Sequence, residues 1–232
     1  MHMMIHGLLS LFTLAYASAV TGLTIQKRAV DFFDPALGGG SIFDNATFSG
    51  SPLNVIISGL SSPDVLTDKG ILDYAQAIGL HSSQECLGFH LGAPQTANLG
   101  DGNGSLNQTM EFRQDFGHDV LGTCLESLLG GNHFLVWRQN GPQASSGALF
   151  LAASKEKDSS KNHDLVDDGY NIGRDELAVG AVGTKSHNGV TYETVAQKIT
   201  GIMPAGSDGV NHGIAVDGIV ILLTVTIQPK EQ

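Results

Sequence analysis

The sequence predicts a single α+β domain with a mixed or antiparallel sheet and flanking helices, preceded by an N-terminal leader. Two observations favour this class. Short apolar runs rich in β-branched residues alternate with Gly-, Asn- and Ser-rich turns, and the segments follow the order strand, helix, hairpin, helix, strand. No linker, repeat or low-complexity tract divides the chain after the leader. We therefore expect residues 51–232 to form one domain.

The first strand and helix follow an irregular arm. Residues 29–50 are rich in Gly, Asp, Phe and Ser and predict that arm, whereas residues 53–58 are an apolar run typical of a strand. Ser61-Ser62-Pro63-Asp64 then combines a hydroxyl cap, a proline and an acid, which predicts the start of a helix ending at Gly79. Its predicted apolar face is Val65, Leu66, Leu72, Ala75 and Ile78.

Residues 81–131 are the least regular part and predict an insertion pinned by a disulfide. They contain both cysteines of the chain, Cys86 and Cys124. An isolated pair in an oxidising compartment usually forms a disulfide, which would restrict the unfolded chain by about 4 kcal/mol. Two buried free thiols are the alternative.

The second half of the chain predicts a hairpin, a helix and a final strand. Residues 132–138 and 148–153 read as paired strands around the turn at Gly141-Pro142. Residues 174–182 favour a helix, and residues 218–227 favour a buried strand. Residues 191–199 mix β-branched residues with helix formers, so both assignments stay open there.

The first 28 residues predict export. Residues 7–16 are apolar, and Ala17-Ser18-Ala19 has the small-x-small pattern of a cleavage site, so residues 1–19 read as a signal peptide. The pair Lys27-Arg28 would end a propeptide over residues 20–28. A retained N-terminal helix is the alternative, and the run is short of the ~20 residues that span a bilayer. We expect a secreted, extracellular protein with no membrane span.

Three glycosylation sequons and the net charge bear on partners. Asn45, Asn103 and Asn107 each begin an Asn-x-Ser/Thr triplet, which predicts a glycoprotein. The formal net charge of −11 argues against nucleic acid and anionic membranes as partners. We expect an extracellular ligand, such as a glycan or a cell-surface component.

Three segments resemble the LssY C-terminal domain family over residues 50–185. They are Asn132-His133-Phe134-Leu135-Val136-Trp137-Arg138, residues 148–154 and residues 167–175. His133, Trp137, Arg174 and Asp175 match the family pattern, whereas Asn132, Leu135 and Gly173 depart from its His, Arg and Glu. The resemblance implies the fold more than a function.

The densest polar group supplies the candidate site. It comprises His133, His163, Asp164, Asp167, Asp168 and Asp175. Converging carboxylates and imidazoles bind a divalent cation or act as an acid–base pair, so His133, His163 and Asp175 are the catalytic candidates. On an alternating strand, however, His133 shares a face with Leu135 and Trp137, which favours a hydrogen-bonded core residue.

Asp167, Arg174 and Trp137 are the candidate binding residues. Arg174 and Asp175 can also form a structural ion pair at a helix start, and the single tryptophan, Trp137, either packs in the core or stacks on a sugar. Residues 101–105 open like a calcium loop, but Leu106 and Phe112 stand where Gly and Glu are required, so a turn is predicted.

The predicted function is a non-enzymatic secreted glycoprotein of the cell wall or medium, as among fungal secreted proteins. A hydrolase, metal-assisted or not, is the first alternative, and a secreted effector or toxin-like protein is the second. No cofactor is expected, and a divalent cation is expected only if the His/Asp group converges. No nucleophile-elbow, phosphate-loop, zinc-helix or dinucleotide motif occurs in the sequence.

Overall fold

A computed structural model describes residues 29–44, 49–85, 92–118, 121–161 and 164–229 of the chain. In chain order the strands are β1 (Val55–Ile57), β2 (Leu80–Ser82), β3 (Thr96–Asn98), β4 (Ser105–Asn107), β5 (Met110–Gln114), β6 (Asn132–Asn140), β7 (Ser145–Lys155), β8 (Gly183–His187), β9 (Val190–Ile199) and β10 (Val220–Gln228). The helices are α1 (Asp68–Ala77), α2 (Gly122–Leu129) and α3 (Gly169–Ala181).

Eight of these strands form one mixed sheet in the order β2-β5-β6-β7-β1-β10-β9-β8, and β3 pairs with β4 separately. The prediction of a single α+β domain with a mixed sheet is confirmed. Helices α1 and α3 contribute to the apolar core on one face of the sheet. Helix α1 packs against both edge strands, β2 and β8, so the sheet curls around it.

The opposite face of the sheet carries a second apolar core that is covered by loops. Residues of the N-terminal arm, of the β3 segment and of the loops before α3 and β10 pack there on Trp137 and Phe150. The arm is fastened by Gln139, whose buried amide bonds both backbone groups of Phe33 and the carbonyl of Leu99. This loop-covered face carries Trp137 and the His133 cluster described below, whereas Arg138, the next residue of β6, lies on the α1 side and pairs with Asp68.

Strand β1 joins the two halves of the sheet. It pairs in parallel with β10 and antiparallel with β7, and its three residues are fully buried. Asn54, just before β1, extends this junction, because its side-chain amide donates to the carbonyls of Ala153 and Tyr170 and accepts from the Ala153 amide. Its own carbonyl accepts from the Ile221 amide of β10.

Helix α1 begins later than the sequence predicts. Thr67 is the N-cap, and its Oγ1 accepts from the Gly70 amide at 2.9 Å. The predicted caps serve the sheet instead: Ser61 and Ser62 accept from backbone amides of β10 at Val225 and Ile227. The hydroxyls at Ser61 and Ser62 are thus taken up by a sheet contact that local sequence does not reveal.

Residues 81–131 are more regular than predicted, because β2 and β5 belong to the main sheet and α2 packs beside them. Cys124 lies on α2 and is not a free thiol. Cys86 lies outside the described residues, so the Cys86–Cys124 disulfide stays a prediction. The signal peptide, the propeptide, Asn45 and His163 also lie outside the described residues.

The other assignments of the second half are settled by the structure. Predicted strands at residues 132–138, 148–153 and 218–227 correspond to β6, β7 and β10, and the predicted helix corresponds to α3, which begins five residues earlier. Residues 191–199, left open between helix and strand, belong to β9. Within the described ranges, no helix has both the length and the apolar character to cross a bilayer.

Helix α3 approaches β7 so closely that a glycine is required. A Cβ at Gly173 would lie 2.4–2.5 Å from backbone atoms of Ser154, whereas a Cβ at Gly180, on the same helix, would meet its nearest atom at 3.9 Å. The first position therefore sets the distance between helix and sheet, and the second does not.

We expect Gly173→Ala to lower the free energy of unfolding by about 1–3 kcal/mol, because the backbones must move apart. Gly180→Ala is the matched control and should raise it by about 0.5–1 kcal/mol through helix propensity. Urea unfolding of both variants measures the difference. Equal effects of the two substitutions would show that the close approach does not limit stability.

Candidate functional site

A cavity of about 190 Å³ lies beside β6, where its pairing with β5 has ended. The β5–β6 register stops at Met110–Val136, and the chain from Gly104 to Thr109 forms the opposite wall. The gap exists because β6 continues to Asn140, beyond Val136, the last of its residues in register with β5. It is lined by Asp68, Ala97, Leu99, Asp101, Gly104, Leu106, Asn107, Thr109, Trp137, Arg138 and Asn140.

Trp137 forms part of the cavity wall and also anchors the β3–β4 hairpin. The residue is 2% exposed, and its Nε1–H donates to the carbonyl of Leu106 at 3.1 Å. The prediction of core packing is therefore confirmed. Trp137 also belongs to the lining of the cavity.

Arg138 lines the cavity and has one donor without a partner among the described residues. Its Nη2 donates to Asp68 Oδ1 at 2.6 Å, which ties β6 to the start of α1. Its Nε is buried and has no hydrogen-bond partner among the described residues. A buried donor without a partner costs free energy.

The remaining polar groups of the cavity are mixed in kind. Asp101 is buried and accepts from the backbone amides of Asn140 and Gly141 at 3.1 and 2.7 Å, which holds the loop against the end of β6. The amides of Asn107 and Asn140 and the Thr109 hydroxyl each provide donors and acceptors. One guanidinium and two carboxylates therefore line the cavity, together with neutral amide and hydroxyl groups.

His133 belongs to a separate buried polar cluster on the loop-covered face of the sheet, the face that carries Leu135 and Trp137. Its Nδ1 lies 3.3 Å from Glu156 Oε1, and Ser154 Oγ lies 3.3 and 3.4 Å from its two ring nitrogens. Arg113 lies on the neighbouring strand, directly opposite His133, and bonds Glu126 at 2.9 Å and Glu111 at 3.0 Å.

Burial dominates the electrostatics of this cluster. Burial and the nearby Arg113 lower the pKa of His133, so the imidazole is neutral at neutral pH. Burial and the carboxylate of Glu156 raise the pKa of Glu126, although Arg113 opposes the shift. Glu126 Oε1 is buried without a partner among the described residues. Burial opposes the charge of Arg113 as well, but the three glutamates outweigh it and raise its pKa.

The geometry around His133 does not favour nucleophilic catalysis. A serine nucleophile requires one ring nitrogen while an acid orients the other. Here Ser154 is equidistant from both nitrogens and competes with Glu156 for Nδ1. Ser154 is also only 4% exposed. The contacts tie β6 and β7 together at the end of the sheet.

The predicted His/Asp group does not converge in the described residues. Asp164 contacts His212 at 3.1 Å, and the exposed Asp167 contacts Lys157 at 3.4 Å. Asp168 is the N-cap of α3, and His163 lies outside the described residues. Within the described ranges, no set of three or more His, Cys, Asp or Glu residues is placed to hold a metal ion.

Arg174 is a structural residue rather than an open binding group. It is 3% exposed, and its two terminal nitrogens donate to the two carboxylate oxygens of Asp217 at 2.5 and 2.9 Å. It also donates to Asp175 at 2.8 Å and to the carbonyl of Ile219. The predicted Arg174–Asp175 ion pair is confirmed, and the pairing with Asp217, which fastens α3 to the start of β10, was not predicted.

Comparison with family models, with curated proteins and with solved structures finds no match to this chain. The resemblance to the LssY C-terminal domain therefore stays a prediction.

Sequence reasoning found Trp137 and His133 but missed the groups that surround them. Arg138 follows Trp137 directly, yet its partner Asp68 comes 70 residues earlier on α1. Glu126 reaches Arg113 from α2, which the sequence did not predict. In the sequence, the members of each pair are only scattered charged residues, because no local spacing links one partner to the other.

Glu126 should make stability depend on pH in a defined direction. Its pKa in the folded state is raised above the ordinary value of 4.5. The stability it contributes is therefore complete below about pH 4.5 and is lost as the pH rises through the folded-state pKa. Glu126→Gln cannot ionise, so wild-type stability relative to this variant should fall as the pH rises from 4 to 7.

Urea unfolding of the wild type and Glu126→Gln across that range measures the slope. Glu176→Gln, which removes an exposed carboxylate paired with Lys155, is the control and should keep a nearly constant offset from the wild type. A wild-type stability that rises relative to Glu126→Gln would contradict the assignment.

Proposed function

We propose that this chain is a secreted, non-enzymatic binding protein for a neutral saccharide, held in the Trp137–Arg138 cavity. The observation that carries the proposal is Arg138, which lines the cavity and whose Nε is buried without a partner among the described residues. A hydroxyl or ring oxygen of a ligand would satisfy it.

The surrounding chemistry favours a saccharide over other ligands. Two carboxylates, Asp68 and Asp101, face one guanidinium, which disfavours phosphates and acidic peptides. The amides of Asn107 and Asn140 match hydroxyl groups, which both donate and accept. The apolar part of the lining, from Leu99, Leu106 and Trp137, offers a surface on which the C–H face of a sugar ring packs. The sequence-based expectation of an extracellular protein agrees with such a ligand.

We expect a panel of neutral oligosaccharides of glucose, mannose and N-acetylglucosamine to include at least one that binds and changes the fluorescence of Trp137. Arg138→Met keeps the aliphatic stem but removes the donor, so it should weaken that binding roughly tenfold or more, as expected for one hydrogen bond to a charged group. Fluorescence titration measures both dissociation constants.

Lys69→Met is the matched control, since Lys69 lies on α1 next to Asp68 but pairs with Asp73 on the surface. It should bind like the wild type. Equal affinity of wild type and Arg138→Met, or binding of acidic peptides in place of saccharides, would contradict the proposal.

Hydrolysis is the second candidate function, favoured by the contact between His133 and Glu156 at 3.3 Å. On our account this contact supports the fold. We expect His133→Asn to lower the Tm by several degrees and to leave hydrolysis of model esters and glycosides at the level of the wild type. Loss of a measurable turnover with an unchanged Tm would establish the hydrolase instead.

A further inference from the structure

A glycosylation sequon lies on the wall of the proposed saccharide cavity. Asn107 is exposed on β4 and lines the cavity, and Thr109, the third residue of its sequon, lines it as well. The neighbouring sequon begins at Asn103, whose side-chain amide donates to Asp101 at 3.3 Å and which is not among the lining residues. The acceptor residue Asn107 therefore lies on the cavity wall, whereas the acceptor residue Asn103 does not.

We propose that Asn107 carries an N-linked glycan whose first sugar covers the Trp137–Arg138 cavity, so that the chain's own glycan competes with an external saccharide. This regulation rests on the proposed function of the cavity. In the modification, Asn107 Nδ2 bonds to C1 of the first sugar of a lipid-linked oligosaccharide. The C1–O bond to the diphosphate of that donor breaks, and the amide loses one proton.

Tethering makes the internal sugar an effective competitor. A group attached through a short linker has an effective concentration in the millimolar range, so a weak contact with Arg138 and Trp137 is sufficient to occupy the cavity. The first sugar has the same hydroxyl-rich chemistry that the cavity groups favour. Because Asn107 lines the cavity, a sugar attached to it begins at the cavity wall.

A second cavity provides space for the rest of the glycan. It measures about 290 Å³ and shares Thr109 with the first cavity, and its other walls include Ser83, Gln108 and Glu111. The sugars that follow the first one can therefore continue along the side of β5. Glu111, which lines this space, bonds Arg113 at 3.0 Å.

The experiment uses the full chain secreted from a eukaryotic host. Asn107→Gln and Thr109→Ala remove the sequon at different atoms, Thr109→Ser keeps it, and Ser105→Ala removes only the Asn103 sequon. Mass spectrometry of the glycopeptide reads occupancy at Asn107. Acrylamide quenching of Trp137, the single tryptophan, reads whether the cavity is covered.

We expect Asn107 to be occupied, and both sequon-removing variants to show at least twofold stronger quenching and at least tenfold tighter saccharide binding than the wild type. Ser105→Ala should behave like the wild type, and Thr109→Ser should keep the wild-type occupancy of Asn107 and the wild-type quenching. An unoccupied Asn107, or an occupied one with quenching equal to that of the two variants, overturns the inference. Stronger quenching without saccharide binding by any form supports the covering and overturns only the proposed function.

Discussion

The three-residue strand β1 is the constraint on which the rest of the structure depends. It is the one element that pairs with both antiparallel halves of the described sheet, β2-β5-β6-β7 on one side and β10-β9-β8 on the other. Three residue pairs on each side are few, and Asn54 supplements them by bonding the backbones of Ala153, Tyr170 and Ile221. Because Asn54 and β1 are buried, these bonds form where water cannot compete, and an unsatisfied group there would be costly.

The two faces of this sheet are covered by different elements. One face packs on α1 and α3 at a spacing that admits no Cβ at Gly173, and Arg174 fastens the same helix to the start of β10 through Asp217. Burial raises the pKa of Asp217, but the hydrogen bonds from Arg174 and the Ile219 amide, together with the charge of Arg174, outweigh burial and lower that pKa. The other face is covered by loops. Strands β5 and β6 differ in length, so β6 continues beyond the end of its pairing with β5. The cavity at Trp137 and Arg138 is a direct result of that mismatch.

Most long elements could be predicted from the sequence, and most contacts between them could not. Strands β6, β7 and β10 follow from extended apolar runs, whereas β2 and β5 are short and carry polar residues such as His81 and Arg113, so the sequence reads as irregular there. The predicted start of α1 was wrong, because the hydroxyls of Ser61 and Ser62 accept from amides of β10 instead of capping a helix. At the site, Trp137 was recognised by residue type alone. Asp68, Asp101 and Arg138 converge through the fold, and no spacing along the chain indicates that.

The indole N–H resonance of Trp137 tests the central claim most directly, because the chain contains one tryptophan and that N–H lies at the hairpin which closes the cavity. In a ¹⁵N-labelled sample this signal stands alone and needs no assignment. The account predicts that a neutral oligosaccharide shifts it in a saturable manner, together with the backbone amides of Arg138 and Asn107. A saccharide that shifts other amides to saturation and leaves the indole signal in place would contradict the account.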